Sequence, residues 1–336
     1  MSAVKIGIFS VADHYPNELA RTSERLYEEL LEQAEAADAL GFDSFWIAEH
    51  HFHEYGGIPR PPIWLAAAAR RTRKIRLGSA VVVLPFDNPL RTAEDYAMVD
   101  VLSGGRLELG VGSGYLKHEY AGFGIDMAEK RERFEEALEV VLQAWSGERF
   151  SHRGRYFTVD DVKLNVVPLQ KPHPPVSVAI LTNDRAAVVG GQGFPVMMIP
   201  YATTERIEEL AATVVAFRGA FLGNGGAAER ATVHFALHTH CADSVEEARR
   251  EVREALDRYV RTRLYARQRS FETLIDKNLV AFGDPDEIVR AASLYESAGM
   301  THYLVMNNFG GLDHRVVLRS MERIARHVVP KFHGRA

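Results

Sequence analysis

The sequence has a single cysteine, Cys241, among its 336 residues. An intrachain disulfide needs two cysteines and a cysteine-ligated metal site needs a cluster of them, so both are excluded. No apolar run reaches the roughly 18 residues that a membrane-spanning helix requires. Segment 1–11 lacks the basic and apolar regions of a signal peptide. These absences predict a cytoplasmic protein without a membrane partner.

An excess of positive charge is also missing. Forty Lys and Arg residues stand against 45 Asp and Glu residues, which gives a net charge of −5. A nucleic-acid-binding surface needs Lys and Arg clustered on one face, so no nucleic-acid partner is expected. The densest basic run, 70–76, is expected at a helix end, where cations complement the helix dipole.

Short apolar segments alternate with longer amphipathic segments eight times along the chain. The apolar segments, predicted as strands, cover 5–11, 42–51, 75–85, 106–114, 176–180, 196–201, 232–242 and 301–308. This alternation predicts a parallel sheet, and eight units favour a closed (β/α)₈ TIM barrel over the alternative, an open doubly wound sheet. Because no linker is visible, residues 1–336 are expected to form one domain, with insertions at 151–175 before strand five and 261–283 after strand seven.

The ends of the predicted strands carry most of the polar and glycine residues. In a TIM barrel the loops at the carboxyl ends of the strands build the active site. We therefore expect one pocket to be formed by the residues that follow strands two to six and eight.

Three histidines crowd into AEHHFHEYGG at the end of strand two. Along an extended chain His51 and His53 share one face and His50 faces the other way, and no HExxH spacing is present. The pattern therefore favours a catalytic or substrate-positioning histidine over a metal site. Structural hydrogen bonding by Glu49 or a histidine is the remaining alternative.

Two further segments could approach a ligand closely. GVGSGY follows strand four, and its alternate glycines leave the backbone open to a flat or anionic group, although they also suit a tight turn. LTNDRAA follows strand five, where Thr182 and Asn183 precede a helix start that could bind phosphate. Simple capping of that helix by either residue is the alternative.

These segments together resemble the bacterial luciferase-like flavin monooxygenase family, from Lys5 to about Phe332. The resemblance is carried by GFDSFWIAEHHFHEYG, IRLGSAVVVLPFDNPLRTAEDYAMVDVLSGGRLELGVGSGY, VSVAI with its TND turn, GDPDEIV and GMTHYLVMNNFGGLDHRVVLRSMERIARHVVP. It implies a (β/α)₈ barrel that holds FMN at its carboxyl mouth. The FMN would be reduced by a separate flavin reductase and react with O₂ to a flavin peroxide, which oxidises a small organic substrate.

The resemblance also implies roles for individual residues. His50 would be the catalytic base or hydrogen-bond partner, with Glu49 in the same pocket, and a non-prolyl cis peptide would join Ala80 to Val81 under the flavin ring. The remaining cofactor-binding residues implied are Gly112, Ser113, Gly114, Val178, Ala179, Thr182 and Asn183. The substrate pocket is expected to include Phe52, Tyr115, Met198 and Tyr201, whose character suggests an apolar substrate.

The sequence departs from luciferase at the expected phosphate site. Ser113 stands where luciferase has an arginine, and Ile180-Leu181 replaces a Glu-Ser pair. Arg106 or Arg185 could supply the missing cation.

Two other functions are compatible with this superfamily. One is a deazaflavin-dependent oxidoreductase that transfers hydride, and the other is a flavin-binding relative without activity. Family members commonly form homodimers through helices near strands two and three, so a homodimer is expected.

Overall fold

A computed structural model describes residues 3–54, 56–263 and 268–333. Its strands are, in chain order, β1 Lys5–Ser10, β2 Ser44–Ile47, β3 Arg76–Val83, β4 Leu107–Gly112, β5 Phe150–Arg153, β6 Thr158–Val162, β7 Val176–Ala179, β8 Val196–Met198, β9 Val233–Cys241, β10 Ala281–Gly283 and β11 His302–Asn308. Eight of them pair in parallel in the order β9, β11, β1, β2, β3, β4, β7 and β8, and a β8–β9 pairing closes the ring. The predicted (β/α)₈ TIM barrel is therefore confirmed.

Helices connect the barrel strands and pack around them. They are α1 Ser23–Leu40, α2 Pro61–Arg71, α3 Pro89–Ser103, α4 Lys117–Phe123, α5 Lys130–Trp145, α6 Arg185–Gly191, α7 Pro200–Thr203, α8 Ile207–Gly223, α9 Val245–Thr262, α10 Phe271–Asp276, α11 Pro285–Ser297, α12 His314–Arg323 and α13 Val329–His333. The start of α11 follows its local sequence, because the Asp284 carboxylate accepts the Glu287 N–H at 2.9 Å and Pro285 occupies the first turn.

The first predicted insertion folds as an antiparallel hairpin of β5 and β6. The partly buried carboxylate of Glu136 on α5 anchors it by accepting the backbone N–H groups of Arg155, Tyr156 and Phe157. The second insertion contains α10 and β10, while residues 264–267 lie outside the described residues. β10 adds a short parallel strand beside the carboxyl half of β9, which the sequence pattern did not predict.

Strand register brings the carboxyl ends of the barrel strands to one edge. Ile47 at the end of β2 pairs with Ser10 of β1 and with Ser79 of β3. The chain therefore leaves β2 toward Glu49 and His50 at the level where β3 reaches Ala80. No helix among the described residues combines the length and apolarity needed to cross a membrane.

The barrel interior is tightly packed below this edge. Trp46 is fully buried, and its indole lies against Gly78 of the neighbouring strand. A β-carbon at position 78 would lie 2.1 Å from Trp46 Cε3, so only glycine leaves room for the ring there. Because side chains fill this part of the interior, the space for a ligand lies at the carboxyl edge.

Candidate active site

A cavity of about 500 Å³ opens among the carboxyl ends of the barrel strands. This volume lies in the range of small-molecule and cofactor sites. Residues from β1 to β4, β7, β8 and their following loops line it, and Tyr259 and Arg263 contribute from the end of α9. The position is the one at which TIM barrels place their active sites.

Most of the residues predicted for the site line this cavity. They are Glu49, His50, Ala80, Val81, Gly112, Ser113, Gly114, Tyr115, Val178, Ala179, Thr182, Met198 and Tyr201. The peptide bond between Ala80 and Val81 is cis, as the family resemblance predicted. The β3–β4 register shifts between Ser79 and Val82, so this peptide sits at an irregularity in the cavity wall.

Two predicted residues lie elsewhere. Phe52 is 63% exposed and packs its ring against Phe123 at 5.1 Å, outside the cavity lining. The expectation that it lines the substrate pocket is corrected, because the chain turns outward there with a positive φ of 57° at Phe52.

Asn183 lies next to the cavity-lining Thr182 but does not line the cavity itself. The N-cap of α6 is Asp184, and no side chain caps this helix. The capping alternative for Thr182 and Asn183 is therefore wrong, while the backbone carbonyls of both residues accept N–H groups of the turn.

His50 is held at the cavity by a residue that the sequence analysis missed. Its Nδ1 lies 3.2 Å from a carboxylate oxygen of Glu119 on α4, and the same oxygen accepts the His51 N–H at 2.8 Å. Burial lowers the pKa of His50, although Glu119 acts in the opposite direction. A neutral imidazole that donates from Nδ1 to a carboxylate carries its lone pair on Nε2, the form of a general base.

Glu49 and the other two histidines support this arrangement. Glu49 contacts His51 Nε2 at 3.0 Å and accepts the Val83 N–H at 3.4 Å, and burial raises the pKa of Glu49. His51 packs edge-on against Phe123, and His53 lies against His118. The described residues contain no group of three or more His, Cys, Asp or Glu side chains that could hold a metal ion.

Three cations line the same cavity as Thr182. Lys130 and Arg131 come from the start of α5, and Arg185 comes from the start of α6. The Arg185 guanidinium is 3.7 Å from Glu135. Arg106, the other candidate for the missing cation, instead donates to backbone carbonyls of Ala69, Thr72, Ile75 and Ser103 at the amino end of the barrel. The expectation for Arg106 is therefore wrong.

A buried arginine and three tyrosines form a second polar group at the cavity. Arg263 is 6% exposed, and its guanidinium lies 4.1 Å from the centre of the Tyr259 ring. Tyr115 hydrogen-bonds the same guanidinium, and Tyr201 lines the cavity nearby. Nothing in the local sequence distinguishes Arg263 from the charged residues of the preceding helix α9, so the sequence alone does not identify it.

The fold and the cavity together define a TIM-barrel enzyme whose site is built on the carboxyl ends of the strands. The chain belongs to the luciferase-like monooxygenase family, whose model matches residues 4–302. It is 32% identical to 4-hydroxyprotoasukamycin monooxygenase of Streptomyces nodosus subsp. asukaensis, over 90% of this chain and 86% of that protein. The crystal structure of monooxygenase RslO1 from Streptomyces bottropensis matches with a TM-score of 0.91 at 31% identity, covering 98% and 99% of the two chains.

Other relatives differ in the cofactor that their names give. The oxygenase component of the flavin-dependent trigonelline monooxygenase of Acinetobacter baylyi is 26% identical over 93% of this chain and 91% of its own. An F420-dependent glucose-6-phosphate dehydrogenase of Amycolatopsis mediterranei is 33% identical over 45% of this chain and 46% of its own. An uncharacterized protein of Sinorhizobium fredii is 39% identical, and the chain spans 60% of its length. The names of these relatives thus include both a flavin-dependent monooxygenase and an F420-dependent dehydrogenase.

Proposed function

We propose that the protein is a monooxygenase that uses reduced FMN and O₂ to oxidise a small organic substrate. The observation that carries the proposal is the cavity itself, which joins the Ala80–Val81 cis peptide, a glycine-lined wall, a cationic end and a buried histidine. Each of these parts fits a different portion of FMN and its reaction.

The cavity wall fits a flat ring. Gly112 faces Val81, and a β-carbon at position 112 would lie only 2.8 Å from Val81 Cγ2. Ala80, Val178 and Ala179 add further small side chains to this wall. These residues would hold the flavin ring, which a larger side chain at position 112 would crowd.

The cationic end fits a phosphate group. Lys130, Arg131, Arg185 and Thr182 all line the cavity, and guanidinium and ammonium groups are strong phosphate partners. They would replace the arginine that luciferase has at the position of Ser113. The Ser113 carbonyl accepts the Tyr120 hydroxyl, which holds this loop in place.

His50, oriented by Glu119, would accept and return the proton of the reaction. Reduced FMN, when bound, supplies the electrons for the reduction of O₂. Because Glu119 orients the imidazole, Nε2 of His50 can accept or return a proton in the buried site. Glu49 positions His51 and the backbone at Val83, which keeps the wall of the cavity in register.

The binding test compares FMN with riboflavin, which lacks the phosphate. Flavin fluorescence titration is expected to show that Arg185→Met weakens FMN binding at least tenfold and leaves riboflavin binding unchanged. Arg133→Met is the matched control, because Arg133 lies on α5 beside Glu129 and outside the cavity lining. Equal FMN affinity in wild type and Arg185→Met would remove Arg185 from the phosphate site.

The activity test supplies reduced FMN from an added flavin reductase with NADH under O₂, as the oxygenase-component relative suggests. Product from an organic substrate panel should contain one oxygen atom from ¹⁸O₂. Binding and oxidation of reduced deazaflavin in place of FMN, without oxygen incorporation, would instead assign the hydride-transfer function.

A homodimer and transient contact with the reductase are parts of this proposal.

A further inference from the structure

The cavity has a second polar end, made of Arg263, Tyr115, Tyr201 and Tyr259. All four residues line the cavity together with His50. Arg131, Arg185 and Thr182 also line it, but they come from the loops and helices after β4 and β7, whereas Arg263 follows α9. Arg263 therefore enters the cavity from a different element than Arg131 and Arg185 do.

The Tyr115 and Tyr201 hydroxyls at this end of the cavity can donate hydrogen bonds to a ligand. Burial raises the pKa of Tyr115 and of Tyr201, so both hydroxyls keep their protons at neutral pH. The Tyr201 hydroxyl is buried and has no hydrogen-bond partner among the described residues. An unsatisfied buried hydroxyl is unfavourable, which indicates that a ligand atom completes it.

The guanidinium is fixed for binding rather than free to swing into solvent. Arg263 lies over the Tyr259 ring at 4.1 Å, and the Tyr115 hydroxyl is hydrogen-bonded to its guanidinium. A guanidinium has five N–H donors in a planar fork, so it can keep these contacts and still bind a carboxylate through two parallel hydrogen bonds.

Asp13, an acidic group that interacts electrostatically with Arg263, also accepts hydrogen bonds from other donors. Asp13 accepts the Tyr15 hydroxyl at 2.9 Å and the Gly310 N–H at 2.5 Å through one oxygen. Burial raises the pKa of Asp13, which opposes its ionised form. Asp13 interacts electrostatically with Arg263, while its hydrogen-bonded oxygen is turned to Tyr15 and Gly310.

We infer that this end of the cavity binds an acidic oxygen of the substrate, held by Arg263 with the hydroxyls of Tyr201 and Tyr115. The inference rests on the proposed function, because it makes this end the substrate end and leaves the Arg185 end to the FMN phosphate. The neighbouring lining is apolar, with Phe9, Ala236, Met198 and Leu304. The substrate class is thus an apolar body that carries one carboxylate, enolate or phenolate oxygen.

The test uses flavin-free protein and matched pairs of a carboxylate and its neutral amide: benzoate with benzamide, and cinnamate with cinnamamide. Calorimetric titration should show at least one acid binding tenfold or more tighter than its amide. Arg263→Met should abolish this preference, and Arg263→Lys should retain part of it. Arg261→Met is the matched control, because Arg261 is two residues away and forms a surface ion pair with Glu18.

Several outcomes would overturn the inference. They are equal binding of acids and amides, no binding of either acid, and an acid preference that survives Arg263→Met but disappears in Arg185→Met. FMN titration of wild-type and Arg263→Met protein distinguishes a failure of this inference from a failure of the proposed function. Wild-type protein that fails to bind FMN contradicts the proposed function, whatever the acid titration shows, and FMN binding with no acid preference contradicts only the inference.

Discussion

At the scale of single residues, the site depends on contacts between side chains far apart in the sequence. His50 and Glu119 are 69 positions apart, yet their side chains meet at 3.2 Å. The carboxylate fixes the orientation of the imidazole, while burial lowers the pKa of the imidazole and favours its neutral form. The pair therefore offers a base whose proton affinity is set by two opposing effects.

We predict that His50→Gln lowers the rate of product formation by about 100-fold or more, since general-base catalysis contributes on that order.

Neutral His50 is the active form, so activity should fall as the pH drops through its pKa. Glu119 raises that pKa, and Glu119→Gln should therefore move the acid limb of the pH–rate profile to lower pH. Glu139→Gln, an exposed change on α5, should leave the profile in place; an unmoved limb in Glu119→Gln would contradict the assignment.

A second prediction at this scale concerns Gly112. A methyl group there would contact Val81 at 2.8 Å and narrow the proposed ring site, so Gly112→Ala should weaken FMN binding about tenfold or more in a fluorescence titration. Gly219→Ala is the control, because its added β-carbon meets nothing within 4 Å on α8. It should leave FMN affinity unchanged and stabilise the fold by up to about 1 kcal/mol. Unchanged affinity in Gly112→Ala would place the ring elsewhere.

At the scale of elements, the loop before β3 is tied to α1. The Asp38 carboxylate at the end of α1 accepts backbone N–H groups of Arg73, Lys74 and Ile75 at 2.7–2.9 Å. This contact fixes where β3 begins, four positions before Ala80. The wall of the cavity is therefore positioned in part from the opposite end of the barrel.

We predict that Asp38→Asn destabilises the protein by about 1–3 kcal/mol, because one amide oxygen cannot accept all three N–H groups. Burial alone would raise the pKa of Asp38, but the backbone donors outweigh it and lower the pKa. Stability from the carboxylate is thus present above the unfolded pKa of about 3.9 and lost as the pH falls through the folded value. Urea unfolding should show that the difference in unfolding free energy between wild type and Asp38→Asn is smaller at pH 3 than at pH 7. The control Asp160→Asn, at an exposed position, should differ from wild type at neither pH.

At the scale of the whole molecule, the exposed apolar residues of α2 and α3 are the notable surface feature. Ile63 on α2 is 71% exposed, and Met98 on α3 is 52% exposed with Val101 and Leu102 nearby along the helix. Adjacent exposed apolar groups mark association surfaces. They lie on the helices next to β2 and β3, where the family resemblance placed a dimer contact.

We predict that the double variant Ile63→Glu with Met98→Glu converts a homodimer to a monomer in analytical ultracentrifugation, because charged side chains would lose their hydration in the contact. Val215→Glu is the matched control, since Val215 on α8 is 72% exposed and away from this surface. A monomeric wild-type protein, or a double variant that stays dimeric, would contradict the predicted surface.

The sequence by itself determined the barrel and most of its cavity wall. Eight apolar segments separated by amphipathic ones leave few arrangements other than a closed parallel sheet, and local signals such as the Asp284 cap set helix starts. The family motifs located His50 and the Ala80–Val81 peptide. That residues 1–336 form one domain stays a prediction.

Only the tertiary structure decided which side chains meet. Glu119, Lys130 and Arg131 lie in helices and Arg263 directly follows one, and a charged residue at such positions most often faces solvent. Closure of the barrel turns these particular side chains toward the cavity, while a bend with a positive φ turns Phe52 outward, and Arg106 lies toward the amino end. The periodicity of a sequence reports which face of an element is apolar, but contacts across dozens of residues follow from how the elements pack.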